Sequence, residues 1–450
     1  MKKIIFFILS LALLSACKQK INEFNADKGS ANFTKYIVIG NSIFAGYADN
    51  ALYHNGQKNS IPNLIAGQLQ LAGSGSFIQP MVASEYGVAF TGSAPKLKLG
   101  YTTSCTGVIS LGPVYDLGTK EPLAPVGYDV NNFAIPGAKS FHLLAPHYGD
   151  PAGLVTVPPT ANPYFFRFAK TAASSVLGDA MAANATFFTM WLGDNDVLQY
   201  ALSGGLGDTI TSPAFFQTVM GGILHELTLN GAKGVIGTIP DITEIPFFTT
   251  IPYNGLVLTQ SQADSVNMAM GLYQLPFHYT AGPNPFLVAD STSPHPYFKV
   301  RQMQPGEMVL MTVPQDSLKC KGMGIIDRVK KVPYPIPKQF ILNLDDIAKL
   351  QAATAAYNQI IPALAAHFNI GVVDMNAKLK EMQNFPGIAW DGMTLNTTFV
   401  TGGAFSLDGI HLNPRGCALA ANYFIDAINK QYNSTIPYVD VTKYPGVIFP

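Results

Sequence analysis

Four short, predominantly apolar runs that each stop at a small or polar residue constrain this chain most. Tyr36-Ile37-Val38-Ile39 ends at Gly40, Thr186 to Leu192 at Gly193, Val235 to Ile239 at Pro240, and Ile370 to Val373 at Asp374. A strand that is apolar on both sides must be covered on both faces, the condition of a parallel sheet between helical layers. Helical patterns fall between the runs: Phe215–Leu229, Leu344–Phe368 and Pro414–Tyr432, the last opening on a proline suited to a first helical turn. Alternating strands and helices predict an open α/β sheet, whose chemistry gathers beyond the C-terminal strand ends. Between Thr243 and Lys338 the pattern breaks into Pro-, Phe- and Tyr-rich sequence such as Phe277-His278-Tyr279. That stretch reads as a large insertion folded onto the core, its aromatics suited to an apolar wall or lid over a pocket.

The N-terminus is an address. Lys2 and Lys3 precede an apolar run, Ile4–Leu14, that ends in Leu14-Ser15-Ala16-Cys17. A cationic head, a run too short to span a bilayer and small residues before a cut describe a signal peptide over residues 1–16. Cys17 after them is similar to the acylated cysteine of bacterial lipoproteins, which implies a cell-envelope protein held by lipid. Residues 17–35 follow as a polar tether, and 36–450 form the folded domain. Without Lys2 and Lys3 the chain carries 26 basic against 28 acidic residues, a balance that gives nucleic acid no basic surface. Cys105 and Cys320 sit in Gly-containing loops and are free to pair in an oxidising compartment; the sequence alone does not decide whether they do. Cys417 falls on an apolar helical pattern. No metal-ligand spacing occurs, and no metal or organic cofactor is implied.

Four places could carry chemistry. Gly40-Asn41-Ser42 follows a strand directly, where a serine exposes its hydroxyl and its own N–H can face an oxyanion; the same pattern also marks an ordinary turn or helix cap. Asp408-Gly409-Ile410-His411 sets a carboxylate three residues before an imidazole, close enough to fix its tautomer, though a capped turn looks the same. In Gly193-Asp194-Asn195-Asp196, Asn195 offers an amide N–H, while Asp194 and Asp196 could cap the next helix. Asn132 to Ala138 places the unobstructed N–H of Gly137 in a turn.

Taken along the chain as Ser42, Gly137, Asn195 and His411, the four elements resemble the SGNH (GDSL-like) serine hydrolases. The resemblance runs from about Tyr36 to the helix after His411. Ile61-Pro62-Asn63-Leu64 and Gly231-Ala232-Lys233-Gly234 add weaker matches, and the long lipoprotein form looks like the hydrolases of Bacteroidetes-type bacteria. It implies a three-layer, flavodoxin-like parallel sheet. It also implies an acyl-enzyme mechanism with Ser42 as nucleophile, His411 as base and Asp408 orienting the ring. The oxyanion would be held by the N–H groups of Ser42 and Gly137 and the Asn195 amide. The substrate implied is a small acyl ester, lipid or acylated glycan. A carbohydrate acetyl esterase and a catalytically silent binding lipoprotein on the same scaffold are the alternatives. The family usually has Asp before the serine; here it is Asn41, which brings no charge.

Overall fold

The structure, a computed structural model, describes residues 25–450 except Thr106. Cys17 and the rest of the leader lie outside the described residues. Five strands form one parallel sheet: β1 (Tyr36–Gly40), β2 (Asn132–Ala134), β3 (Phe187–Trp191), β4 (Lys233–Gly237) and β5 (Gly371–Val373), in the order β5-β4-β3-β1-β2. Every residue of β1 and β3 is buried, as their largely apolar sequence requires, with Thr189 Oγ1 hydrogen-bonded to the Tyr36 hydroxyl. The helices that matter here are α1 (Ile61–Gln70), α2 (Asn195–Leu202), α3 (Pro213–Thr228), α4 (Leu344–His367), α5 (Met375–Gln383) and α6 (Pro414–Tyr432). Helices α1 and α6 pack together on one face and α3 and α4 on the other, which makes the three-layer α/β fold predicted above.

Aromatic rings fill both interfaces. Phe44, Trp191 and Phe424 form a cluster of edge and tilted contacts beneath α6, while Phe216 of α3 stacks on Tyr357 of α4 with centroids 4.1 Å apart. The strand order reverses between β1 and β3, so a crevice opens at their carboxyl ends. Ser42 leaves the end of β1 and Asn195 the end of β3, which puts both at this switch point.

The end of the stretch read as a tether is folded onto the domain. Ser30 N–H donates to Tyr432 O (2.8 Å), Thr435 N–H donates to Asp27 O (2.8 Å), and Phe33 packs edge-on against Phe187 at the base of the sheet. The polar look of the segment conceals this because one buried aromatic and a few backbone hydrogen bonds suffice to hold it.

The Pro- and aromatic-rich stretch between β4 and α4 folds into short antiparallel pairs around two small cores of its own. One gathers Phe286, Val288 and Ile336, the other Met270, Tyr279 and Leu287. Tyr279 is fully buried in the second, with Phe277 packed against it. Phe286, Tyr279 and Phe277 therefore pack within the stretch's own cores. A disulfide, Cys105–Cys320 with Cα atoms 5.8 Å apart, ties this stretch to the tip of a hairpin formed by Leu97–Thr103 and Ile109–Tyr115. Cys417 is a buried free thiol.

Candidate active site

Three loops from distant parts of the chain meet above the switch point. Asn41 caps a one-turn helix, Ser42–Ala45, by accepting a hydrogen bond from Ile43 N–H. The turn presents Ser42 Oγ to His411 Nε2 at 2.8 Å across 369 residues of sequence. His411 Nδ1 lies 2.8 Å from Asp408 Oδ2. An ionised carboxylate can only accept, so Nδ1 carries the proton and a neutral ring leaves Nε2 free to accept from the serine hydroxyl.

Asp408 is fixed more firmly than the sequence reveals. Its Oδ1 accepts from the N–H groups of Ile410 and His411 and from Ser406 Oγ, all within 2.9 Å, and its Oδ2 also accepts Asn50 N–H at 3.1 Å. Burial pushes this carboxyl up; the positive charge and hydrogen bond of His411, with the backbone donors, outweigh it and hold Asp408 well below the usual carboxylate range. The glycine inside the motif is required. Gly409 has φ +71°, and a Cβ there would come within 3.0 Å of the Phe247 backbone nitrogen and 2.9 Å of Met311 Sδ. Phe247 N–H donates to Gly409 O, so the residues after β4 brace the turn that carries Asp408 and His411.

Gly137 and Asn195 follow β2 and β3, the two strands that flank β1. Gly137 has φ +78°, and a Cβ placed on it would meet nothing within 4 Å, so open space lies over the turn. Asn195, 2% exposed, opens α2 and donates one Nδ2 hydrogen to Ala138 O at 3.0 Å, which locks it to the Gly137 turn and leaves its second hydrogen available. Among the described residues, neither Ser42 N–H nor Gly137 N–H donates to a protein acceptor. A serine hydroxyl paired with a neutral imidazole is equipped to attack an electrophilic carbonyl.

Helix capping by Asp194 and Asp196, expected from their position, is not what the side chains do. Asp194 stands at the cap position of α2 but makes no side-chain cap bond; its carboxylate accepts from Asn41 Nδ2. Asp196 accepts from Ser140 N–H (2.8 Å) and Ser140 Oγ (2.7 Å), tying the chain after Gly137 to α2. The negative charge that the family pattern places before the serine is thus carried one strand away, on Asp194. Burial pushes Asp194 up to about 6, against the opposing hydrogen bond from Asn41.

Other contributors carried no usable motif. The Tyr47 ring packs against the His411 ring with centroids 4.8 Å apart. Asp49 and Asn50, both at positive φ, turn a two-residue hairpin that docks on the loop before Asp408; Asp49 Oδ1 accepts Leu407 N–H. The Asp-Asn pair signals the turn, but nothing local signals its partner 358 residues away.

Comparison with known proteins agrees with the leader. The pattern described as "Prokaryotic membrane lipoprotein lipid attachment site" matches residues 1–17. It supports a lipid-anchored protein of the cell envelope. The chain resembles the GDSL-like lipase/acylhydrolases. Among solved structures it is similar to the lipase/acylhydrolase from Enterococcus faecalis, at 13% identity over 90% of this chain and 98% of that one, with a TM-score of 0.34. It is also similar to LAE5, an alpha/beta hydrolase enzyme from the metagenome of Lake Arreo, at 10% identity over 89% and 96% with a TM-score of 0.35. One from Parabacteroides merdae described as a GDSL-like lipase matches at 10% identity over 90% and 99%, TM-score 0.34. A search of curated protein sequences finds no match. Likenesses this distant transfer no activity, and the functional reading rests on the side chains.

Proposed function

We propose that this protein is an extracytoplasmic serine ester hydrolase of the SGNH type, held at the outer membrane by lipid on Cys17, that cleaves acyl esters through an acyl-enzyme. The observation that carries the reading is the unbroken line from Ser42 Oγ through both nitrogens of His411 to Asp408, each link 2.8 Å long. As Ser42 Oγ bonds to the ester carbonyl carbon, its proton passes to His411 Nε2. Asp408 stabilises the imidazolium so formed. The N–H groups of Ser42 and Gly137 and the second hydrogen of Asn195 receive the carbonyl oxygen as it becomes an oxyanion. The bond to the alcohol breaks, and His411 returns the proton to the leaving oxygen. Water then repeats the sequence on the acyl-enzyme and frees the acid. Residues 36–450 act as one hydrolase unit, with the stretch 243–338 inserted between the strands that supply the oxyanion donors and the loop that supplies the base.

A fluorophosphonate tests this directly. It should label Ser42 in the parent protein, and Ser42→Ala should abolish both labelling and ester turnover without loss of folded structure. Labelling of a different serine, or undiminished turnover in Ser42→Ala, refutes the reading.

A further inference from the structure

The hairpin that follows the nucleophile turn, Tyr47 to Leu52, is joined by hydrogen bonds to the loop that carries Asp408 and His411. Asp49 N–H can only donate, so the hydroxyl oxygen of the fully buried Ser406 accepts it at 3.1 Å. The Ser406 hydrogen is thereby turned to Asp408 Oδ1, 2.9 Å away. The Asp49 side chain completes the joint: its Oδ1 accepts Leu407 N–H and its Oδ2 accepts the Tyr53 hydroxyl, both at 2.9 Å. Next to it, Asn50 N–H reaches Asp408 Oδ2 itself, and Tyr47, whose ring lies against His411, donates its hydroxyl to Asn50 O. Two bonds from the chain that follows hold the same turn in place. Leu97 N–H donates to Asp49 O at 2.8 Å, and Asn50 Nδ2 donates to Pro95 O at 3.2 Å. The turn is therefore fixed independently of the loop it grips.

We infer that Asp49 and the Ser406 hydroxyl it aims are a positioning pair for the proton transfer at His411. The inference rests on the hydrolase reading above. Among the described residues Asp49 hydrogen-bonds to neither Ser42 nor His411, so it acts through Asp408. By clamping Leu407 and directing Ser406, it fixes the Asp408 carboxylate against His411 Nδ1, and with it the approach of Nε2 to Ser42 Oγ. The contribution belongs to the transition state. A misdirected carboxylate leaves the imidazolium less stabilised, while the ester itself meets none of these groups.

The test removes the clamp without straining the turn. Asp49 has φ +49°, where glycine is comfortable, so Asp49→Gly deletes the carboxylate and keeps the turn. Asp49→Asn tolerates the same φ and keeps an oxygen that can accept Leu407 N–H. Turnover of nitrophenyl acetate by the whole mature protein is measured per site titrated to completion with a fluorophosphonate, so that unfolded protein does not count. Asp49→Gly should lower kcat by about ten- to a hundredfold with KM within about twofold, the scale of a misplaced orienting group. Asp49→Asn should return kcat to within about fivefold of the parent, the scale of one ordinary hydrogen bond. Should Asp49→Gly fail to fold, Ser406→Ala breaks the same joint, and kcat should fall about tenfold at constant KM. If a folded variant loses thermal stability but keeps the parent's kcat and KM per titrated site, the joint only holds the fold and the inference is overturned. A loss confined to KM overturns it as well, and so does an Asp49→Asn variant as slow as Asp49→Gly. If the parent turns over no ester and Ser42 is not labelled, the hydrolase reading itself fails before any of these variants is compared.

Discussion

Replacing Asn41 with Asp, the residue usual in the family this chain resembles, should destabilise this protein in a pH-dependent way. In the parent, Asn41 Nδ2 donates to the buried carboxylate of Asp194. Asp194 is pushed up to about 6 by burial, against an ordinary aspartate value of about 3.9 in the unfolded chain. Its contribution to stability is therefore greatest below pH ~4 and is lost as pH rises to ~6, after which it is flat. Asn41→Asp puts two carboxyl groups in contact. Below pH ~6 they share a proton, one donating to the other, and the parent hydrogen bond has a substitute. Above that, removing the shared proton places a second buried charge beside the first, so the pair holds the proton while the unfolded chain does not. Each pH unit then costs ~1.4 kcal/mol, or about 2.7 kcal/mol between pH 6 and pH 8 if the upper titration lies at or above 8. Denaturant unfolding at the two pH values measures this. The exchanged pair, Asn41→Asp with Asp194→Asn, should restore parent-like pH dependence, because the amide and the carboxylate again face each other with their roles reversed. The reasoning is refuted if Asn41→Asp loses no more stability between pH 6 and pH 8 than the parent, or if the exchanged pair loses as much as the single variant.

Three further outcomes are expected. Asn195→Ala should lower kcat by about a hundredfold or more, the usual cost of an oxyanion donor, with little change in KM; an effect on KM alone would make Asn195 a ground-state binding residue. Gly409→Ala should cost about 1–3 kcal/mol in unfolding experiments because an L-residue is strained at φ +71°, and turnover should fall with it as the Asp408–His411 turn shifts away from Phe247 and Met311; a fully active, equally stable variant would show that the turn does not depend on this glycine. Cys17→Ser should release the protein from the membrane fraction with ester turnover intact, and persistence in the membrane would exclude lipid on Cys17 as the anchor.

Much of the framework was legible because the signals are local. A run such as Tyr36–Ile39 has no polar face, so it can only be a doubly covered strand. Pro414–Tyr432 carries its own start in Pro414, and the observed helix has those bounds. Strand β2 was read as part of a turn because it is three residues long and opens on Asn132, whose side chain is satisfied by Phe44 O and Gln79 Oε1, groups far away in sequence. For the aromatics of the 243–338 stretch, composition reports that a ring will be buried, not against what; Tyr279 and Phe286 are buried in the stretch's own cores.

Around the site, the sequence by itself determined which residue types stand where: a serine after β1, an amide after β3, a glycine-bearing turn at Gly137 and a carboxylate three places before an imidazole. These follow from spacing along the chain, which backbone geometry converts directly into local shape. Only the tertiary structure decided the partners. It turned Asp194 away from the helix it precedes and towards Asn41, joined Asp196 to Ser140, docked Asn50 N–H on Asp408 and set Tyr47 against His411. The reason is physical: a buried polar group must find a hydrogen bond somewhere, but whichever group the fold carries within about 3 Å can supply it, and that proximity is set by how the layers pack and not by any neighbour in sequence.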